Sequence, residues 1–176
     1  MASSAMTSYV IKDVAILDGK PTDIVVKDGV IAEIGKGLTA DQTVDGSGCI
    51  ALPGLVDLHT HLREPGREDA ETVLSGSRAA AMGGFTAVHA MANTNPVADT
   101  AGVVEQVFRL GKAAGLVDVN PIGAVTKGLH GEQLAELGAM ADSIARTQHQ
   151  TLSSLLCSPQ SHRCLLVTAS RCSRSS

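Results

Sequence analysis

The residues best suited to chemistry follow one another at alternate positions near the end of an apolar run, residues 53–66. Asp57, His59 and His61 share one side if this run is a strand, because successive side chains of a strand point to opposite faces. Two neutral imidazoles at this spacing suit Zn²⁺ and related ions, and βα loops build active sites at the carboxyl ends of parallel strands. Zinc sites need three or four protein ligands, so the pair alone also fits two histidines with a structural role.

Arg63 continues the same alternation two residues after the histidine pair. Its guanidinium offers a planar fork that matches the geometry of a substrate carboxylate. The alternative is a surface ion pair with Glu64 or Glu68. The spacing therefore predicts either an anion-binding arginine beside a metal or an ordinary exposed charge.

A second polar cluster, residues 91–96, follows the next apolar run. Asn93 has the parity of His89 and is expected at the same mouth as the histidine pair, although Asn and Thr before Pro96 also make a simple turn. His89 lies deeper and is interpreted as a hydrogen-bonded interior residue rather than a ligand. A third polar stretch, residues 126–128, is either a positively charged loop or the approach to a helix.

Three apolar strands alternate with alanine-rich helices and position these clusters. The predicted strands are Ile50 to Leu58, Phe85 to Met91 and Leu116 to Val125; the predicted helices are Glu71 to Met82, Thr100 to Ala114 and Gly131 to Met140. This rhythm predicts parallel βαβ units with right-handed crossovers. Gly83-Gly84 is interpreted as a left-handed helix stop.

The first fifty residues have a different rhythm, short β-branched runs separated by Asp18-Gly19 and Asp28-Gly29. Asp-Gly between such runs indicates hairpins, so we expect a small antiparallel β unit. The resulting division is 1–50 for the β segment, 51–142 for the βα units and 143–176 for a tail.

The composition excludes several functional classes. A formal net charge of -4 argues against a general nucleic-acid or anionic-membrane surface. The sequence has no apolar run near the roughly 18 to 20 residues that a membrane span requires. Its start lacks a basic segment followed by an apolar one, so we expect a soluble cytosolic protein whose four cysteines are thiols.

The tail differs sharply from the rest. All 18 acidic residues, all 18 glycines and every lysine lie at or before Asp142, whereas nine of the last 34 residues are serine. A shifted reading frame predicts such a change, and we favour it over a disordered Ser-rich extension because Leu165-Leu166-Val167 and three cysteines are unusual in disordered segments. The Cys and His spacings lack the close Cys-x-x-Cys pair of a zinc knot.

The stretch Asp57-Leu58-His59-Thr60-His61-Leu62-Arg63-Glu64-Pro65-Gly66 closely resembles class I dihydroorotases of the amidohydrolase superfamily. So do Asn93-Thr94-Asn95-Pro96 and Thr126-Lys127-Gly128-Leu129, and the resemblance runs from about Tyr9 to Asp142. It implies a zinc enzyme that interconverts N-carbamoyl-L-aspartate and L-dihydroorotate in pyrimidine biosynthesis.

The resemblance also implies the architecture and the roles of the site residues. The fold would be the N-terminal part of a metal-dependent (β/α)8 barrel, about three βα units, with a small β-sandwich segment. His59 and His61 would bind one or two Zn²⁺, and Arg63 and Asn93 would hold the substrate carboxylate. A homo-oligomer is compatible with the sequence.

The chain departs from this family in length. A full barrel takes roughly 250 residues, so about five units are missing. The family's metal-ligating aspartate, two further histidines and catalytic aspartate have no counterpart here, which predicts an inactive fragment. Two alternatives stay open: a non-catalytic homologue that binds a partner enzyme, and a hydantoinase or allantoinase acting on another cyclic amide.

Overall fold

The computed structural model describes residues 8–17, 19–143 and 165–169, the last as backbone. They form two compact units. Unit 1 contains the described residues up to Gly54 together with residues 165–169, and unit 2 runs from Leu55 to residue 143. The sequence division after residue 50 stays a prediction, and the structure divides the chain after Gly54.

Unit 1 is a six-stranded mixed sheet. Its strands are β1 (Tyr9–Ile16), β2 (Pro21–Lys27), β3 (Val30–Gly35), β4 (Gln42–Asp45), β5 (Cys49–Pro53) and β9 (Leu165–Ala169). The strand order is β3-β2-β1-β5-β9, and β4 also pairs with β1. Most of the predicted tail, including its cysteines, lies outside the described residues.

The expected hairpins are present, but the sheet is not purely antiparallel. Asp28 and Gly29 both have positive φ, 55° and 76°, as a two-residue turn between right-twisted strands requires. A register shift between Ile11 and Val14 divides β1, so that β4 pairs with its first half and β5 with its second, both in parallel. The sequence interpretation missed β4, because short exposed strands carry little apolar pattern.

Unit 2 contains the predicted βα units. Its elements are β6 (Leu55–Thr60), α1 (Val73–Met82), β7 (Phe85–Ala90), α2 (Ala101–Ala114) and β8 (Asp118–Pro121). The three strands pair in parallel in the order β6-β7-β8. A 3₁₀ turn, Lys127–Leu129, follows, and residues 137–143 are helical.

Some boundaries differ from the predictions for local reasons. The predicted strand Ile50 to Leu58 is two strands, β5 in unit 1 and β6 in unit 2. The third strand ends at Pro121 rather than Val125, one residue before the last contact with β7, in which Ile122 N donates to Ala90 O at 2.8 Å. The third helix begins at residue 137 rather than Gly131, after a bridge between Thr126 and Leu134.

Helices α1 and α2 each follow a threonine and are each followed by a glycine. Thr72 caps α1: its side chain accepts from Ser75 N at 3.1 Å, while Ser75 Oγ accepts from Thr72 N at 3.0 Å. The helix stop is confirmed, although the left-handed residue is Gly84 and not Gly83. These ends orient α1 so that it leads directly into β7.

The core of unit 2 lies between the sheet and its helices. Its buried members include Leu62, Val73, Val88, Val107 and Val119. Among the described residues, no helix is long and apolar enough to cross a membrane.

Candidate active site

A bulge in β6 determines where the first polar cluster points. Between Asp57 and Thr60 the register shifts, so that three steps along β6 match two steps along β7, from Val88 to Ala90. The Asp57 carboxylate accepts a hydrogen bond from His59 N at 2.9 Å within this bulge. The predicted alternation does not hold across the bulge: the extra residue changes the parity between Asp57 and the residues after it, and Asp57 lines a cavity together with Thr60.

The two predicted metal ligands lie together at the bulge, His59 within it and His61 just after it. The ring centroids of His59 and His61 are 5.0 Å apart, with an interplanar angle of 65°. His59 is exposed and His61 is half-buried. The arrangement leaves two imidazoles side by side at the carboxyl end of a parallel strand, where active sites of α/β barrels form.

Asn93 reaches the same site from the loop after β7. Its Oδ1 lies 2.8 Å from His61 Nδ1. Since an amide oxygen only accepts, this contact requires the proton on His61 Nδ1, and in the neutral ring Nε2 then keeps its lone pair. A hydrogen bond of this kind on the far nitrogen is how metal-binding histidines are commonly oriented.

Backbone hydrogen bonds between the loops after β6 and β7 keep His61 and Asn93 close together. Asn95 N donates to Pro65 O at 2.9 Å, and Met91 N donates to Thr60 O at 2.9 Å. Gly66 has a φ of 102°, and a Cβ there would lie 2.6 Å from Asn95 Cβ. The loops approach so closely that only glycine fits at this position.

Arg63 projects from the loop in a left-handed conformation, with a φ of 62°, and is exposed. Within the described part of the chain its side chain makes no hydrogen bond or ion pair. Glu64 instead accepts from Val73 N at 2.7 Å, and Glu68 accepts from Gly66 N at 2.8 Å. The surface ion-pair alternative is therefore absent here, and the guanidinium is available to a ligand.

The third polar stretch is tied to the second loop through Asp99, which sequence reasoning missed. Its Oδ2 accepts from Gly128 N at 2.8 Å, and Ala124 N donates to Ala98 O at 2.7 Å. His89 is half-buried with Nδ1 3.3 Å from Asp57 O, in keeping with an interior residue that is hydrogen-bonded. Asp99 directly precedes Thr100, the N-cap residue of α2, and this position just before a helix was the signal that could have drawn attention to it.

The donor set fits part of a metal site. Imidazole nitrogens are suitable zinc ligands, and Nε2 of His61 lies on the opposite side of the ring from the contact with Asn93. Among the residues that the structure describes, no three His, Cys, Asp or Glu side chains are grouped closely enough to hold a metal ion. Among these residues His59 and His61 are therefore a pair of potential ligands without a third.

Comparison with known proteins identifies the family. The family model "Dihydro-orotase-like" matches residues 48–152. The chain is 64% identical over 143 residues to a dihydroorotase of Leifsonia xyli, and 59% identical over 142 residues to one of Streptomyces coelicolor. Each alignment covers 80% of this chain and 33% of the relative. The chain therefore spans about a third of the length of the relatives it matches.

Solved structures agree with the fold. An L-hydantoinase from Arthrobacter aurescens superposes with a TM-score of 0.59 at 25% identity, over 83% of this chain and 31% of that protein. An N-isopropylammelide isopropylaminohydrolase from Burkholderia multivorans gives a TM-score of 0.54 at 21% identity, covering 80% of this chain and 43% of that protein. The prediction of a partial α/β barrel is confirmed. The chain belongs to the dihydroorotase-like family of the amidohydrolase enzymes.

Proposed function

We propose that this chain carries the first third of a dihydroorotase, the hydrolase that interconverts L-dihydroorotate and N-carbamoyl-L-aspartate in pyrimidine biosynthesis. The observation that carries the proposal is the 2.8 Å contact between His61 and Asn93, which joins the histidine pair to an amide from the next loop. The identity of 64% to a dihydroorotase supports this substrate over other cyclic amides.

Membership of the family implies a metal cofactor, and we propose Zn²⁺, one or two ions in the complete site. His59 and His61 would hold it on one side. When bound there, zinc would supply Lewis-acid activation of the substrate amide and of water near neutral pH. Asn93 would keep the proton on His61 Nδ1, so that Nε2 stays available as a ligand.

The substrate carboxylate is proposed to bind between Arg63 and Asn93. The Arg63 guanidinium has no partner within the described residues, and it carries the positive fork that a carboxylate prefers. The Asn93 amide can serve both groups at once, since Oδ1 accepts from His61 while Nδ2 remains free to donate to a carboxylate. This arrangement would fix the ring relative to the metal ligands.

The chain by itself is proposed to be inactive. Two histidines are fewer than the three protein ligands of a catalytic zinc site, and among the described residues no third His, Cys, Asp or Glu side chain is grouped with them closely enough to hold a metal. The proposed compartment is the cytosol, in keeping with Cys49, which is a free thiol.

The hydantoinase alternative concerns a related activity on the same fold. The similarity to a hydantoinase is 25% identity, far below the identity to dihydroorotases. The alternative of a non-catalytic copy predicts loss of the site residues, whereas His59, His61, Arg63 and Asn93 are all present.

A chimera tests the proposed function: residues 1–143 of this chain fused to the part of the Leifsonia xyli dihydroorotase that follows its aligned stretch. We expect the chimera to hydrolyse L-dihydroorotate, and Arg63→Met to reduce kcat/KM by about a hundredfold, the loss of a charged hydrogen bond of roughly 3 kcal/mol. Dihydrouracil, which lacks the carboxylate, is the control substrate. Equal losses on both substrates would remove the role assigned to Arg63.

A further inference from the structure

Glu64 connects the loop that carries Arg63 to the first turn of α1. Its Oε2 accepts a hydrogen bond from the N–H of Val73, the first residue of that helix, at 2.7 Å. The side chain of Thr72 already caps Ser75 N, so Glu64 supplies an acceptor for a second N–H group that the helix itself leaves unpaired. The first turn of α1 contains no acidic residue, and the Glu64 carboxylate therefore provides the negative charge that a helix N-terminus favours.

Leu62, on the other side of Arg63, is attached to the same helix. Only 3% of Leu62 is exposed, and it belongs to the core cluster that also contains Val73. A Cβ on Gly76 would lie 2.5 Å from Leu62 Cδ2, so the leucine packs directly against the backbone of α1. The residues immediately before and after Arg63 are thus both held by the start of one helix.

Arg63 itself adopts a conformation that needs such support. Its φ of 62° lies in the left-handed region, which a residue with a Cβ rarely adopts. Glu64 N donates to Leu62 O at 2.8 Å and closes a three-residue turn around Arg63, and Arg67 N donates to Arg63 O at 2.9 Å. Sparsely populated conformations of this kind persist where the surrounding structure determines them. The direction in which the guanidinium leaves the loop therefore depends on the two attachments beside it.

We propose that Glu64 is a positioning residue for substrate recognition: by accepting from Val73 N it holds the turn at Arg63, and Arg63 binds the substrate carboxylate. The inference rests on the proposed function for that carboxylate. Glu64 acts only through Arg63, because its own carboxylate is half-buried and occupied by α1. Loss of the contact should weaken the binding of cyclic amides that carry a carboxylate and leave those that lack one nearly unaffected.

The kinetic test uses the chimera of residues 1–143 with the Leifsonia xyli continuation. Glu64→Ala removes the acceptor, and we expect KM for L-dihydroorotate to rise about tenfold with kcat within about twofold of the parent, because ground-state and transition-state binding of the carboxylate weaken together. Glu64→Gln keeps an amide oxygen for Val73 N and should restore KM to within about threefold of the parent. With dihydrouracil, both variants should keep kcat/KM within about twofold.

The matched control is Glu68→Ala, which removes an exposed carboxylate from the same loop. Glu68 accepts from Gly66 N and has no contact with α1 in the described structure, so its loss should change KM less than about twofold. A similar fall on both substrates in Glu64→Ala would assign Glu64 a purely structural role and overturn the proposal. An unchanged KM in Glu64→Ala, or a Glu64→Gln variant as poor as Glu64→Ala, would also overturn it.

Amide exchange in the 176-residue chain gives a second readout that needs no catalysis. We expect Glu64→Ala to speed exchange of the Arg67 N–H, which donates to Arg63 O, by about tenfold, and Glu68→Ala to change it less than about twofold. Unchanged exchange in β7 shows that the variants still fold. Unchanged exchange at Arg67 in Glu64→Ala would overturn the positioning role. Faster exchange, together with a chimera that binds zinc but does not hydrolyse L-dihydroorotate, would contradict the proposed function while the attachment of the Arg63 loop to α1 stands.

Discussion

At the scale of single residues, Asn93 performs two separable tasks in the proposed site. In the chimera, Asn93→Ala removes the acceptor for His61 Nδ1, and we expect zinc affinity to fall roughly tenfold. Asn93→Asp keeps an acceptor for His61, so zinc affinity should be retained, whereas its charge repels the substrate carboxylate and lowers turnover of L-dihydroorotate. Competition with a chromogenic chelator measures the affinity. If both variants lose zinc equally, Asn93 does not orient His61 through an acceptor.

Asp23 links the pH dependence of unit 1 to one buried ion pair. The side-chain hydrogen bond from Lys12, at 2.9 Å, holds the pKa of Asp23 below its usual value, with further hydrogen bonds from the backbone N–H groups of Asp13 and Leu38. Because the folded pKa is lower than the unfolded one, the stabilisation is present above about pH 4 and is lost as the pH falls through the folded pKa.

We therefore expect Asp23→Asn to lower the Tm of the chimera at pH 6, and expect the difference from the parent to shrink at pH 3. The control is Glu33→Gln, at an exposed position on β3, which should leave Tm nearly unchanged at both pH values. Thermal unfolding followed by circular dichroism gives the comparison. If the difference in Tm between the variant and its parent is the same at both pH values, the charge of Asp23 does not contribute to the stability.

At the scale of elements, the packing of α2 on β8 depends on a single glycine. A Cβ at Gly111 would lie 2.9 Å from Val119 Cγ2 and closer still to its Cβ, and Val119 is buried. We expect Gly111→Ala to destabilise the chimera by about 1–3 kcal/mol through overpacking, despite the better helix propensity of alanine. Gly102→Ala on the same helix meets open space and should be neutral or slightly stabilising. Urea unfolding measures both, and equal effects would contradict the close contact.

Local sequence signals were sufficient to predict the helices, strands and turns, but they were not sufficient to predict how the strands pair. Asp28-Gly29 predicted its hairpin, and Thr72 and Gly84 lie at the ends of α1, because turn and cap chemistry is contained in a few neighbouring residues. The bulge in β6 was not predictable, since it depends on the register that β7 imposes from some thirty residues away. The His59 and His61 pair was visible from spacing, whereas the link from Asn93 to His61 needed the fold to bring two loops together.

At the scale of the whole molecule, the isolated chain exposes surface that a complete barrel would cover. The exposed apolar residues of unit 2 include Leu58, Val125 and Leu134. A net charge of -4 on 176 residues gives little repulsion to oppose contact between such surfaces. We expect the chain alone to bind the dye ANS and to form a mixture of oligomers whose size grows with concentration. Free strand edges and apolar patches promote such association.

Sedimentation velocity over a hundredfold range of concentration tests this expectation, with Leu58→Lys and Met82→Lys as the pair of variants. Leu58→Lys should reduce association because lysine on an edge strand opposes strand addition, and Met82→Lys adds the same charge away from the edge and should have the smaller effect. A monomeric chain with a sharp cooperative melt would contradict the prediction, because it would mean that three βα units close their own core without the rest of the barrel.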